Sequence, residues 1–372
     1  MTESGTRPSR VFFAGGGTGG HLYPGLAIAR ALVRAAPGLQ PFFIGAKRGI
    51  EREILPTTEF PFSLLDLHPL YRSTPWHNWR TLRGSVASMG ALNDIARDAA
   101  PLMIVGTGGY AAGVALAWGK LHGVKTALHE PDSHPGLTTR LFSRGADVIY
   151  LGFPEAESSL QPRRGTPVLP LGCPIEPPPE LRLDRAAARA MWDLPADAFV
   201  VLVTGGSQGA RALNDAVAAW CSRGLPHGVA LIWATGRATA SAYLDRESRM
   251  VRVRPYLAPI TDAYATADMA VTRAGAMTIA ELCAWHIPSL LVPLPTAAQD
   301  HQTHNARATA ASGAAVHLPQ AELTPDAIDA TVRELMRMPV ALESMRNAAG
   351  RRARPTAAAD IARSLLGFLP PR

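Results

Sequence analysis

Short, largely apolar runs alternate along this chain with longer stretches in which apolar residues recur at helical spacing. Val11–Ala14, Pro41–Ile44, Met103–Val105, Lys125–Leu128 and Val148–Tyr150 form one series of runs; Val200–Val203, Leu231–Ala234, Val251–Val253, Met269–Val271 and Ser289–Val292 form a second. Largely apolar runs of this length are the pattern of parallel strands covered on both faces. Helical patterns fall between them, at Tyr23–Ala36, Ser85–Ala99, Gly136–Ser143, Ala210–Ala219, Thr278–Trp285 and Thr303–Ala311. The alternation predicts an α/β protein with two open parallel sheets. A stretch with four prolines between 174 and 179 separates the two series and reads as a linker over Gly172–Glu180. The expected domains are 8–174 and 175–355. A last helical pattern, Thr356–Phe368, is expected to pack back on the first domain as a helix over 356–370.

Two glycine-rich loops, each between a strand run and a helix, carry the candidate chemistry. The first is Gly15-Gly16-Gly17-Thr18-Gly19-Gly20-His21 and the second is Gly205-Gly206-Ser207-Gln208-Gly209-Ala210-Arg211. A glycine turn from strand to helix aims backbone N–H groups and a helix N-terminus at a phosphate or another polar ligand. Finding it twice predicts two Rossmann-like domains facing one ligand across a cleft. In the first loop Gly15, Gly17 and Gly20 satisfy the dinucleotide pattern, but the next strand ends in Gly45-Ala46-Lys47-Arg48 without the acidic residue that holds a ribose. That weakens a nicotinamide cofactor; Lys47 or Arg48 beside a 2′-phosphate keeps it open. His21, directly after the loop, suits a general base. In the second loop Ser207 and Gln208 add hydroxyl and amide donors.

Composition narrows the partners. The 372 residues carry a net charge of +7 with 47% hydrophobic residues, enough for two cores. The basic balance suits an anionic ligand or membrane surface. No Lys/Arg block with interleaved aromatics occurs, so no nucleic acid is expected. Three scattered cysteines without a Cys-x-x-Cys pair point to a reduced compartment and no zinc. The polar start Met1–Arg10 runs into a strand, so no signal peptide is expected. No run has the ~18 apolar residues of a membrane span. Leu64–Leu82 mixes aromatic and apolar groups, including Trp76 and Trp79, with arginines, as an interfacial membrane patch or a packed loop would.

The remaining candidates follow other strand runs. After Met269–Val271 come Arg273-Ala274-Gly275-Ala276-Met277 and Glu281, read as a carboxylate in the first turn of a helix. It is placed either to chelate ribose hydroxyls or to face the helix dipole. Asp300-His301-Gln302 opens another helix at a sheet's carboxyl edge. His129-Glu130-Pro131-Asp132 follows Lys125–Leu128 as a substrate loop; the spacing there does not favour a metal.

Taken in order, Gly16–His21 with Pro24-Gly25, Gly108-Gly109-Tyr110, His129-Glu130, Gly136-Leu137-Thr138, Gly205–Arg211, Arg273–Ala276 with Glu281, and Asp300-His301-Gln302 resemble the MurG family over nearly the whole chain. These are peripheral membrane N-acetylglucosaminyltransferases of peptidoglycan synthesis. The resemblance implies the two-domain GT-B architecture and an inverting transfer without cofactor or protein-bound metal. It implies UDP-N-acetylglucosamine as donor and lipid I, the undecaprenyl-diphosphate muramyl-pentapeptide, as acceptor, with lipid II as product. The expected place is the anionic cytoplasmic face of the inner membrane, beside other cell-wall synthesis proteins. By similarity Ile260 holds the uracil through its backbone, Glu281 the ribose, Ser207 and Gln208 the diphosphate, and Gln302 the sugar hydroxyls. The acceptor lies near Thr18, His21 and Tyr110. Gly19, Gly20, Glu130, Gly209, Arg273, Ala276 and Met277 join the substrate-binding positions. Two positions depart from the family: Asp132 stands where Asn is usual in the catalytic loop, and Glu176 where Arg is usual near the diphosphate.

Overall fold

The computed structural model describes residues 9–68, 76, 78–98, 100–181, 183–206 and 209–370, with the side chains of 78–82 excepted. Ser207 and Gln208 therefore lie outside the described residues, as do residues 69–75 and 77 of the Leu64–Leu82 stretch. The chain forms two compact units, Met1–Glu176 with Thr356–Arg372, and Pro177–Pro355.

In the first unit the strands are β1 (Ser9–Ala14), β2 (Leu39–Ala46), β3 (Phe62–Leu65), β4 (Pro101–Gly106), β5 (Lys125–Glu130), β6 (Val148–Leu151) and β7 (Val168–Leu169). They make one sheet in the order β3-β2-β1-β4-β5-β6-β7, every pair parallel. Alternate residues of β1 enter opposite layers, as strand geometry requires. Val11 and Phe13 pack among Leu26, Leu32 and Ile361, while Phe12 and Ala14 pack among Leu92, Ala112 and Leu116. The covering helices are α1 (Gly19–Ala35), α2 (Glu51–Ile54), α3 (Asn78–Asp98), α4 (Gly109–Leu121) and α5 (Leu137–Phe142).

In the second unit the strands are β8 (Phe199–Thr204), β9 (Val229–Ala234), β10 (Val251–Arg254), β11 (Met269–Thr272), β12 (Ser289–Leu291) and β13 (Ala315–His317). Their order is β10-β9-β8-β11-β12-β13, again all parallel. Its helices are α6 (Arg185–Ala190), α7 (Arg211–Arg223), α8 (Thr261–Thr266), α9 (Ala276–Ala284), α10 (His301–Ala311), α11 (Pro325–Arg337) and α12 (Pro339–Arg352). The chain then returns to the first unit as α13 (Ala357–Phe368), whose Ile361, Ala362 and Leu365 enter the core beside α1. Tyr150 donates to Ser364 Oγ at 3.0 Å, and Lys125 Nζ to the Phe368 carbonyl at 2.7 Å.

Two of these elements correct the sequence reading. β5 extends through His129 and Glu130, which pair with Tyr150 and Leu151 of β6, so both belong to the sheet and not to the loop after it. Helix α9 begins at Ala276, not near Thr278, so Glu281 stands in its second turn rather than its first. Gly275 takes extended backbone angles and acts as the N-cap, so the helix begins as soon as the turn is complete.

Candidate functional site

The first glycine loop joins β1 to α1. Gly17 has φ +89°, the left-handed region that favours glycine, and its Cα faces the Tyr110 ring: a Cβ there would stand 3.1 Å from Cε1. Thr18 is the N-cap of α1 with extended angles, but its side chain caps nothing, and no carboxylate stands in the first turn. The N–H groups of Gly19 and Gly20 thus sit at an open helix terminus, favourable for an anion. His21 occupies the same turn. Its Nδ1 lies 3.2 Å from the Gly16 carbonyl and 3.3 Å from Thr18 Oγ1. A carbonyl only accepts, so the neutral ring carries its proton on Nδ1 and its lone pair on Nε2. The ring lies against the turn between β4 and α4: a Cβ on Gly108 (φ +103°) would stand 2.5 Å from His21 Cδ2. Thr107 Oγ1 donates to the His21 carbonyl at 2.7 Å, and Thr138 Oγ1 to the Gly109 carbonyl at 3.0 Å. Thr18, Gly19, Gly20, His21 and Tyr110 are thereby brought to one edge of this sheet, at the carboxyl ends of β1 and β4, where open α/β sheets bind ligands.

His129 and Glu130 lie below that edge. His129 is fully buried, and its Nε2 donates to the Gly172 carbonyl at 3.3 Å. Burial lowers its pKa to about 4, so the ring is neutral. Glu130 is also buried; Oε1 accepts from Asp132 N–H at 3.1 Å and Oε2 from Gly136 N–H at 3.0 Å. Its carboxyl shapes the loop that carries Asp132. Burial, with the charge of Asp132 added, pushes its pKa up to about 7.

These two groups have opposite effects on stability. Glu130 has its folded pKa above the ordinary 4.5, so the unfolded chain ionises first and stability falls as pH rises from 4.5 to 7. His129 has its folded pKa below the ordinary 6.5, so the unfolded chain takes up a proton first and stability falls as pH drops from 6.5 to 4. Glu130→Gln removes only the first effect. Stability of that variant is expected to climb by up to about 3 kcal/mol more than that of the native protein between pH 4 and 6.5. Denaturant unfolding across that range checks it, and parallel pH profiles for the two proteins would reject it.

In the second unit the loop between β8 and α7 has Gly206 at φ +84° and Gly209 at φ +77°. Gly206 N–H is held by Thr204 Oγ1 at 3.2 Å, and a Cβ on Gly209 would stand 2.5 Å from the Thr235 carbonyl. Ala210 caps α7 without a side-chain bond, and its first turn has no carboxylate. Ile260 is the N-cap of α8, its carbonyl accepting from Ala263 and Tyr264. Glu281 Oε2 accepts from the Tyr264 hydroxyl at 2.7 Å; the carboxylate and burial together raise the tyrosine's pKa, burial foremost. That tyrosine, missed in the sequence, joins the Ile260 segment to Glu281. Ala276 and Met277 open α9, and the buried Asn305 donates to the Ala274 carbonyl at 3.2 Å, fixing the turn before it. Gln302 Oε1 accepts from Leu294 N–H at 3.0 Å, just after Gln299 and Asp300 in left-handed conformation. Such non-glycine strain gathers at functional turns.

Arg273 donates to the Val292 and Pro293 carbonyls, just past the end of β12, and to Gln320 Oε1. Glu176 is exposed and reinforces the charge of Arg30, which pairs with Glu59 at 2.8 Å. In the Leu64–Leu82 stretch, Leu65, Leu67 and His68 are buried, whereas Trp76 is 70% exposed. Among the described residues there is no cluster of three or more metal-ligating side chains, and no helix is long and apolar enough to cross a membrane. A cavity of about 730 Å³, lined by Trp192, Glu247 and Arg252 among others, holds none of these candidate residues.

Two parallel-sheet, Rossmann-like units with glycine loops at their carboxyl edges are the architecture of nucleotide-sugar glycosyltransferases. The glycosyltransferase family 28 N-terminal domain matches residues 11–151, and the glycosyltransferase family 28 C-terminal domain matches residues 200–362. The chain belongs to glycosyltransferase family 28, and within it to the UDP-N-acetylglucosamine--N-acetylmuramyl-(pentapeptide) pyrophosphoryl-undecaprenol N-acetylglucosamine transferases. The relative of that name from Chlorobaculum parvum is 37% identical, over 96% of this chain and 99% of its own. The one from Desulforudis audaxviator is 38% identical, over 95% and 96%. The crystal structure of Acinetobacter baumannii MurG superposes with a TM-score of 0.77 at 26% identity, over 97% of this chain and all of that one.

Proposed function

We propose that the chain transfers N-acetylglucosamine from UDP-N-acetylglucosamine to the 4-hydroxyl of the muramyl sugar of lipid I, with inversion, giving lipid II. What carries the reading is the end-to-end relation to transferases of that name. The chemistry of the residues fits it. The acceptor hydroxyl gives its proton to Nε2 of His21 as its oxygen attacks the anomeric carbon, and UDP departs from the opposite face. Two helix N-termini, of α1 and α7, offer N–H donors to diphosphates. Ile260 and Glu281, with Tyr264 between them, take the nucleoside, Ser207, Gln208 and Gly209 the diphosphate, and Gln302 the sugar. Met277 and Ala276 place the α9 terminus beside it. The site of action is the anionic cytoplasmic surface of the cell membrane, with other cell-wall synthesis proteins as neighbours.

The test is transfer of labelled sugar from the UDP donor to a short-chain lipid I analogue without added metal. Formation of the disaccharide product is the expected result. Donor binding without transfer would sink it and favour a different acceptor or a catalytically idle UDP-sugar-binding paralogue, the readings to which Asp132 and Glu176 point.

A further inference from the structure

We infer that Glu51 is the positioning residue of the first glycine loop; the inference rests on the proposed role of that loop in holding the acceptor. Glu51 opens the short helix α2 and is fully buried. Its Oε1 accepts from Gly17 N–H at 2.9 Å and from Ala46 N–H at 3.3 Å, thirty-four residues downstream of one donor and five of the other. Three glycines from separate segments make room for it. A Cβ on Gly16 or on Gly49 would collide with the carboxyl oxygens, and one on Gly45 would stand 2.9 Å from the Glu51 Cβ. Oε2 is buried with no hydrogen-bond partner among the described residues.

A buried carboxyl with one oxygen unsatisfied is costly to keep for stability alone. Its position explains it. At φ +89° the Gly17 peptide turns its N–H inward to Glu51 instead of outward. The Gly16 carbonyl, in the same bend, is the group that receives His21 Nδ1. One side chain beneath the loop thus fixes two features of its upper face. Gly17 N–H is withdrawn from any ligand, leaving the α1 terminus at Gly19 and Gly20 as the donor set. The carbonyl that sets the His21 tautomer is held in place. Glu51 touches no substrate; it acts through Gly16, Gly17 and His21.

The experiment compares native protein, Glu51→Met and Glu51→Gln. Met keeps the volume and removes the acceptor; Gln keeps an accepting oxygen. Steady-state transfer to the lipid I analogue, donor affinity by calorimetry, melting temperature and amide exchange at Gly17 are read for each. In Glu51→Met the acceptor kcat/KM is expected to fall about 30-fold, as the loss of one strong hydrogen bond would give, with donor affinity unchanged and Gly17 exchange accelerated. Glu51→Gln is expected to remain within about 3-fold of native, since its accepting oxygen remains. Should Glu51→Met not fold, Gly49→Ala takes its place, because its methyl pushes the carboxyl off its donors. Native-like kcat/KM or unchanged Gly17 exchange in a folded Glu51→Met would overturn the inference; so would a Glu51→Gln as impaired as the Met variant. If the native protein transfers nothing to lipid I, the proposed function falls while Gly17 exchange still decides the role of Glu51.

Discussion

His21→Ala is expected to lower kcat for transfer to the lipid I analogue by at least about 100-fold, the loss that removal of a general base brings, while donor affinity stays at the native level. The geometry gives the reason. The carbonyl of Gly16 accepts from Nδ1 at 3.2 Å, so the proton-accepting nitrogen is Nε2, on the edge of the ring beside Gly108. The backbone around the ring is tied by Thr107 to the His21 carbonyl and by Thr138 to that of Gly109. Both ties survive the substitution, since neither uses the imidazole. A half-buried ring removed from a helix whose cap is backbone costs little stability, so the effect falls on the chemical step. Steady-state kinetics with both substrates varied separates the cases. Transfer at a native rate in the variant would move the base elsewhere, with Asp132, held by the Glu130-shaped loop, next in line. A rise in donor Michaelis constant with kcat intact would make His21 a binding group.

How much of this was legible in sequence depends on the distance over which each residue finds its partner. The β1–loop–α1 and β8–loop–α7 units were readable because strand, glycine turn and helix are contiguous. Even so α1 begins a turn earlier than its pattern, since Gly19, Gly20 and Pro24 hide the first turn. Helix α4 was missed because its sequence, Gly109–Leu121, is small and apolar on nearly every side and has no helical stripe. Helix α11 did offer a stripe, Ile328, Val332 and Leu335, that would have found it. Strand β7 has only two residues, Ser63 interrupts the apolar run of β3, and β13 ends in His317. His129 and Glu130 looked like loop residues because they are polar. They are buried in β5 because their partners, Gly172 and Gly136, arrive from later in the chain. Glu51 gave no local signal, for the first glycine loop, with Gly16, reaches it only when β1 and β2 pair. Charge at a strand's end identified the region of Glu281; only the fold brought Tyr264 to it.

Asp268→Ala is expected to cost the second unit about 3–5 kcal/mol, the range found when one partner of a buried ion cluster is deleted. Asp268 precedes β11 and is 4% exposed. Its carboxylate accepts from Arg185 and Arg189 at 2.7 Å each, from Arg346 at 3.2 Å, and from Val200 N–H at 2.9 Å. It therefore joins α6, α12 and the start of β8. Three guanidinium groups surround one carboxylate, with Glu343 pairing with Arg346 at 3.4 Å. The crowding is felt at Arg185, whose pKa is lowered chiefly by desolvation and further by Arg346 and Arg189. Deleting the carboxylate would leave Arg189 and Arg346, both largely buried, facing each other without the anion between them, and would orphan the Val200 amide. Asp268→Asn keeps an acceptor for Val200 and is expected to lose less. Because the chain has two units, a single melting point would blur the result, so hydrogen exchange in β8 and β11 against β1 and β4 is the measurement. Accelerated exchange confined to the second unit supports the assignment. A loss below about 1 kcal/mol, the range of solvent-screened surface pairs, would mean that water reaches the cluster and that it holds nothing together.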